Sequence, residues 1–432
     1  MERYDGTEVR ARIGAAAVVG TLAALALAGC GGGSSGAADA PLATAAFSAP
    51  AVLQARADGT PVDPAIVVAD NGFGLKLLNA LLPGAVGNVA IAPLSVSLAL
   101  QVLYNGAAGS TQQAMSQTLE VGPLDVQQLN GDNAALQASL MDVDPNVELS
   151  IANSLWIDQS TYTVQSAFIQ TDQNYYAATV GDLSGAPANV NAWVDSATHG
   201  LITQILPPDL PPSYFRVAII ANALYFKGSW TTAFDPAQTA PAPFTLTDGT
   251  QVSVPMMSQT GPFAYLEGVQ QGTPFQAIRL PYGQGRMSLL VILPKAGTPL
   301  GSFLAGIDAG SFVTWNAQLQ STQVSLELPR FTTTYQASLG DALAALGMGV
   351  AFTQEADFFA LAPGALVSYV AHATTIEVDE TGTTAAAATG IGVTTTVAVQ
   401  TSVMVMDHPF LYAIQDDKTG ELLFVGVMMN PG

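Results

Sequence analysis

Apolar residues recur along this chain with two periods, and the change between them divides it. From about residue 63 to residue 141 the spacing is helical. Phe73, Leu75, Leu77, Leu78, Leu81 and Leu82 form a stripe ended by Pro83-Gly84. Further helices are predicted over Leu94 to about Tyr104, with Asn105-Gly106 as the stop, over Ser110 to about Leu119, and over Val126 to Met141. From Val147 to Ile157 the apolar residues alternate in part, which predicts a strand. Helices follow near Ser166–Tyr176 and Asn189–His199, then a proline-rich loop at 207–212. Phe215 to Phe226 is almost continuously apolar and predicts a strand buried on both faces. Strands are then expected at Ala277–Leu280, Arg286–Leu293, Gln323–Phe331, Val367–Val378, Ser402–Met406, Phe410–Gln415 and Leu422–Met429, with one helix over Ser338–Leu346. Helices first and strands later, without regular alternation, give the α+β class.

One stretch fits neither period. From Thr381 to Met406 there is no charge, proline or aromatic residue. Gly382 to Thr389 is glycine, threonine and alanine; Ile391 to Val399 is rich in β-branched residues, which suit strands. A buried strand and an exposed loop both fit this composition.

Charge and motifs narrow the function classes. The chain of 432 residues carries a net charge of −21 with only 12 Lys+Arg, which argues against a nucleic-acid partner. There are three histidines, His199, His372 and His408, and one cysteine, Cys30, so no intrachain disulfide forms. No Gly-x-Ser-x-Gly elbow follows a predicted strand, and there is no His-Glu-x-x-His and no phosphate loop. An enzyme is not expected, nor is a cofactor or metal.

The N-terminus reads as a targeting segment. Arg3, Arg10 and Arg12 precede the apolar run Ile13 to Ala28, although Glu2, Asp5 and Glu8 dilute the basic start. Leu27-Ala28-Gly29-Cys30 resembles the lipobox of bacterial lipoproteins, which implies a signal peptide over 1–29 and lipidation of Cys30; an ordinary cleaved signal peptide is the alternative. Residues 30–62, Gly/Ser- and then Ala/Pro-rich, read as a tether, and 63–432 as the folded domain. The expected location is the cell envelope, at the outer membrane or surface because Gly31 is not an aspartate, with secretion as the alternative.

Four separated stretches resemble the serpins, the serine protease inhibitor superfamily. They are Asn88-Val89-Ala90-Ile91-Ala92-Pro93-Leu94-Ser95 with Asn105-Gly106-Ala107; Asn222 through Trp230 with Phe234-Asp235 and Val254-Pro255-Met256-Met257; Glu380, Gly382, Thr383 and the run Ala385, Ala386, Ala387, Ala388; and Asp407-His408-Pro409-Phe410 through Lys418-Thr419-Gly420 to Met429-Asn430-Pro431. The resemblance implies a serpin fold of three β-sheets and about eight to nine helices, with an exposed reactive-centre loop near the C-terminus. It implies a monomer that acts as a suicide substrate: a serine protease cuts the loop, forms a covalent acyl complex, and is trapped as the loop inserts into the main sheet. A non-inhibitory serpin, acting as a surface binding or structural protein, is the alternative.

The resemblance also assigns residues. Glu380, Gly382, Thr383 and Ala385 to Ala388 correspond to the hinge. Counting from Glu380 places the reactive bond at Thr396-Val397, with Val397-Ala398 and Val399-Gln400 still open. His372, with Asn222 and Ser95, corresponds to the cluster that controls sheet opening; Ala92 stands where a second serine is common. Glu380 and Arg330 correspond to an ion pair where the loop enters, with Trp230 packed nearby. All the candidate specificity residues are small, β-branched or uncharged, which favours an elastase-like or subtilisin-like target over a trypsin-like one, whose pocket needs a cation. If the loop inserts from Thr383, alternation puts Thr383, Ala385, Ala387, Thr389, Ile391 and Val393 on one face, expected to meet the core. Thr384, Ala386, Ala388, Gly390, Gly392 and Thr394 fall on the other face, beneath whatever covers the sheet.

Overall fold

The chain enters its first helix at Asp63, whose carboxylate accepts the Ala65 N–H at 2.9 Å while Pro64 takes the first helical position. The structure is a computed structural model that describes residues 61–432 except 86, 142–143, 212, 215–216 and 384–400. All described residues lie in one unit, Ser48–Gly432. The first part of the chain runs α1 (Pro64–Leu81), β1 (Val89–Ile91), α2 (Pro93–Tyr104), α3 (Gly109–Thr118), α4 (Val126–Leu140), β2 (Val147–Ile157), α5 (Ser166–Tyr176), β3 (Thr179–Asp182), α6 (Ala188–Ala197) and β4 (Ala218–Ser229). Then come β5 (Ala240–Thr245), β6 (Gln251–Gln270), β7 (Thr273–Tyr282), β8 (Met287–Pro294), α7 (Leu300–Leu304), α8 (Ala309–Gln318), β9 (Gln320–Pro329), β10 (Phe331–Ser338) and α9 (Gly340–Leu343). The chain closes with β11 (Val367–Val378), β12 (Gly382–Thr383), β13 (Ser402–Val405), β14 (Phe410–Asp416) and β15 (Leu422–Met428).

The described strands form two hydrogen-bonded sheets. The main sheet has the order β10-β11-β12-β4-β2-β3, and β11 also pairs directly with β4. The second has nine strands, in the order β1-β15-β14-β8-β7-β6-β9-β13 with β5 added on β6. The expectation of three sheets counts the two parts of this second assembly separately. They are continuous because β6 is 20 residues long: its first part pairs with β5, its middle with β9, and its last part with β7.

Both faces of the main sheet are covered, which explains why β4 is apolar on both sides. On one face lies the principal core, with α2 buried along its whole length. On the other, Ile219, Ala221, Ala223, Ala371 and Ala373 pack with Val190 and Val194 of α6 and with Ile202, Ile205 and Leu206. The predicted helix over Ser338–Leu346 begins later than expected. Ser338 still pairs with Ala371 in the β10–β11 ladder, and helix starts at Gly340. It then widens into a π turn over Ala344–Met348, where Gly347 sits at φ 115°, open to glycine and strained for other residues. No helix among the described residues is long and apolar enough to cross a membrane.

Candidate functional site

The main sheet is closed at one end and parted at the other. β4 and β11 pair directly, in parallel, from Ala218↔Val367 to Ala223↔Ala373. Beyond that point they separate, and β12 occupies the gap. Gly382 lies opposite Ser229, and Thr383 lies opposite Gly228 on one side and Val378 on the other, antiparallel to both strands. A Cβ on residue 382 would run into the Gly228 carbonyl oxygen, so glycine is required at the entry.

The turn that feeds β12 is tied down group by group. The Asp379 carboxylate accepts the N–H groups of Thr381 (2.8 Å) and Gly382 (3.1 Å) and the Thr381 hydroxyl (2.7 Å). Trp230 Nε1 donates to the Asp379 carbonyl at 2.8 Å, and the Trp230 N–H donates to the Thr381 carbonyl. Glu380 is buried and accepts from Arg330 Nη2 at 2.5 Å and from the Thr239 hydroxyl at 2.6 Å. Burial pushes the Glu380 carboxyl up, but these two hydrogen bonds together hold it below the ordinary glutamate range. Beneath the turn, Trp230 stacks on Tyr282 with ring centroids 4.4 Å apart. The Tyr282 hydroxyl lies 2.7 Å from Thr383 Oγ1 in a fully buried contact. Gly228 leaves room for the Tyr282 ring, which a Cβ there would touch. The Thr383 side chain therefore faces the principal core.

A second cluster sits where the pairing of β4 and β11 ends. His372 and Asn222 are directly opposite in the ladder, and His372 Nδ1 lies 2.7 Å from Asn222 Oδ1. His372 Nε2 accepts the Ala92 backbone N–H at 3.3 Å, so the neutral ring donates through Nδ1. Burial without an anionic partner pushes the imidazole down to about 3. Asn222 Nδ2 donates to Ser95 Oγ on α2 (2.5 Å) and to Asn153 Oδ1 on β2 (3.1 Å). Next along β11, the Thr374 hydroxyl donates to the Ala90 carbonyl at 2.8 Å. Ala92 brings no side-chain hydroxyl to the cluster and takes part through its backbone.

Of the site residues named from sequence, the structure groups Glu380, Arg330, Trp230, Gly382 and Thr383 at the parted end. Ser95, Asn222 and His372 group at the closed end. Ala385, Ala386, Ala387 and Ala388, the candidates Thr396, Val397, Ala398, Val399 and Gln400, and Cys30 lie outside the described residues. Sequence reasoning missed Tyr282, Thr239, Asp379, Asn153 and Thr374. Asn153 carried a signal, as an amide inside the apolar run Ala152–Ile157 that β2 places opposite Asn222. Tyr282 and Thr239 carried none, because only the tertiary fold brings them to the loop.

Stepping along the two registers shows what this geometry can accept. Six residues on from Thr383, Thr389 would come opposite both Asn222 and His372. A strand entering from β12 must therefore displace the direct β4–β11 pairs, first Ala223↔Ala373 and next the polar pair Asn222↔His372.

The sequence profile of the family Serpin (serine protease inhibitor) matches residues 68–431. The chain belongs to the serpin family. This serpin is 30% identical to human neuroserpin over 396 residues, covering 88% of this chain and 94% of that protein. It is 33% identical over 377 residues to an uncharacterised serpin-like protein of Thermococcus kodakarensis, covering 85% of this chain and 86% of that one. Among solved structures it is similar to the thermophilic serpin tengpin in its native state, with TM-score 0.79 and 27% identity, covering 86% of this chain and 96% of that chain. The family is one of protease inhibitors, not enzymes, and its fold is the α+β serpin architecture described above.

Proposed function

We propose that this serpin is inhibitory: a suicide substrate whose loop is cut by a serine protease and then inserts between β4 and β11 while the acyl-enzyme is intact. The observation that carries this reading is the parted sheet, with Gly382–Thr383 already paired to both flanking strands. The remaining loop suits the same slot. On the face shared with Thr383 the residues grow from alanine to Ile391 and Val393, towards the principal core. On the other face Gly390 would come opposite Ala221 and Ala371, beneath α6, where little space remains. No charge would be buried and no proline would interrupt the ladder. An insertion of about fifteen residues at roughly 3.3 Å each carries its far end about 50 Å.

The proposed target has a small apolar specificity pocket, elastase-like or subtilisin-like, and cuts at Thr396-Val397 or one of the neighbouring bonds Val397-Ala398 and Val399-Gln400. The protein works as a monomer, lipid-anchored through Cys30 at the cell envelope, where it meets proteases from outside. Labelling expressing cells with a fatty-acid probe tests the anchor: wild type takes up label and Cys30→Ser does not. Heating tests the inhibitory reading. After one cut in the loop the unfolding temperature should rise by tens of degrees. An unchanged unfolding temperature would identify a non-inhibitory binding protein.

A further inference from the structure

The helix that serves the sheet cluster through Ser95 also serves a second set of polar groups. From α2, Ser97 Oγ and Gln101 Nε2 donate to Asp70 Oδ1 on α1, the latter at 3.0 Å. Asp70 is fully buried, and its Oδ2 has no partner. The next residue, Asn71, clamps the β14–β15 hairpin: its Nδ2 donates to the Gly420 carbonyl at 2.8 Å, and its Oδ1 accepts the Leu422 N–H at 2.9 Å. The clamp brings Glu421 beside α1. Glu421 is also fully buried, and neither carboxylate oxygen has a partner.

Among the described residues no cation pairs with either carboxylate. The hairpin contributes a third buried carboxylate, Asp416, which holds Arg286 (2.8 and 3.3 Å) and the Thr419 hydroxyl. Arg279 pairs with Asp417. Lys76 on α1 is exposed and pairs with Glu120, and Lys418 is exposed. Ser97, Gln101 and Asn133 face Asp70 from α2 and α4, and α5 adds Tyr176 and a further buried carboxyl, Asp172, which burial also pushes up; it is present in wild type and variants alike. Among the described residues no cluster of three or more His, Cys, Asp or Glu is arranged to hold a metal ion. Two ionised carboxylates, each fully buried and without a cation, are not sustainable, and the remaining way to neutralise them is protonation.

We propose that Asp70 and Glu421 form a proton-holding site that makes the native fold lose stability as pH rises towards neutrality, with α2 linking the site to the Asn222–His372 cluster. Burial raises both carboxyls: Asp70 to about 7, although Ser97 and Gln101 pull it down, and Glu421 well above the carboxylate range, with Asp70 and Asp416 adding to the effect. The native state then keeps a proton that the unfolded chain has released. The unfolding constant therefore rises with pH, about tenfold per pH unit for each proton held, between the unfolded and the folded pKa. His372 cannot mimic this, because its buried neutral ring gives the opposite slope.

The test compares the full chain with Asp70→Asn and Glu421→Gln, which keep the shape of the neutral acids, by urea unfolding from about pH 4.5 to about pH 8. The proposal does not depend on inhibition, since the readout is stability alone. The ratio of wild-type to Asp70→Asn unfolding constants should climb with pH, about tenfold per unit, and Glu421→Gln should show a climb of the same sign. A ratio constant with pH in both variants would overturn the site. Failure of both neutral variants to fold would also count against a native pair that is itself neutral.

Discussion

His372 is held by two hydrogen bonds and no charge. Replacing it with alanine leaves the Asn222 carbonyl and the Ala92 N–H buried without partners, each costing about 1–3 kcal/mol. The variant should be destabilised by roughly 2–4 kcal/mol in chemical denaturation, and its loop should insert at a changed rate. The wild-type ring also has a pH signature. Its folded pKa is depressed to about 3, so the unfolded chain takes up a proton that the native ring refuses. The contribution of His372 to stability therefore falls as pH drops from the ordinary histidine range, about 6.5, towards 3, against the slope from Asp70 and Glu421. His372→Ala should lose that acid-side slope in urea melts; an unchanged slope would mean that the ring is charged in the fold. Tyr282→Phe is the sharper probe of the entry. It removes only the hydroxyl that meets Thr383, and should lower stability by about 1–2 kcal/mol. The double variant with Thr383→Val should recover part of that loss, because both ends of the contact are then apolar.

Single elements decide how the loop is received. α6 and the segment around Ile202–Leu206 lie over Ala221, Ala223, Ala371 and Ala373, so a strand inserted there has room only for small residues on that face. Gly390→Phe should therefore convert the protein from inhibitor to substrate: cut at the same bond, with far less stable complex, as seen by electrophoresis. The matching change at Val403, exposed on β13 beyond every candidate bond, should leave trapping intact. Much of this architecture was legible in the sequence. α2, β2, β4 and β11 announced themselves through apolar runs of the right length, and Thr381 to Met406 stood out as a stretch without charge or proline. β5, α7, α8 and the whole of β6 did not. β6 contains Pro255, Gly261, Pro262 and Gly268 and has no clean alternation, so its 20-residue ladder is imposed by neighbours on both sides and not by its own pattern. The polar residues of α2 sat in plain view inside an apolar helix. Ser95 was found only through the family resemblance, and what Ser97 and Gln101 hold became visible only when α1 was placed beside them.

At the scale of the whole molecule, the proposed mechanism makes the native sheet an arrest point. Six direct pairs between β4 and β11 and one polar cluster keep it closed below, while β12 holds it open above. Extending β12 would replace those pairs with a longer antiparallel ladder, which is the source of the stability expected on cleavage. The most direct measurement is incubation of the purified protein with an elastase and with a subtilisin, followed by denaturing electrophoresis and mass spectrometry of the released peptide. A band that survives denaturation at the summed mass of inhibitor and protease, with the cut between Thr396 and Gln400, is the predicted result. Cleavage in that window with no such band from either protease, or a stable band formed only with trypsin, would contradict it.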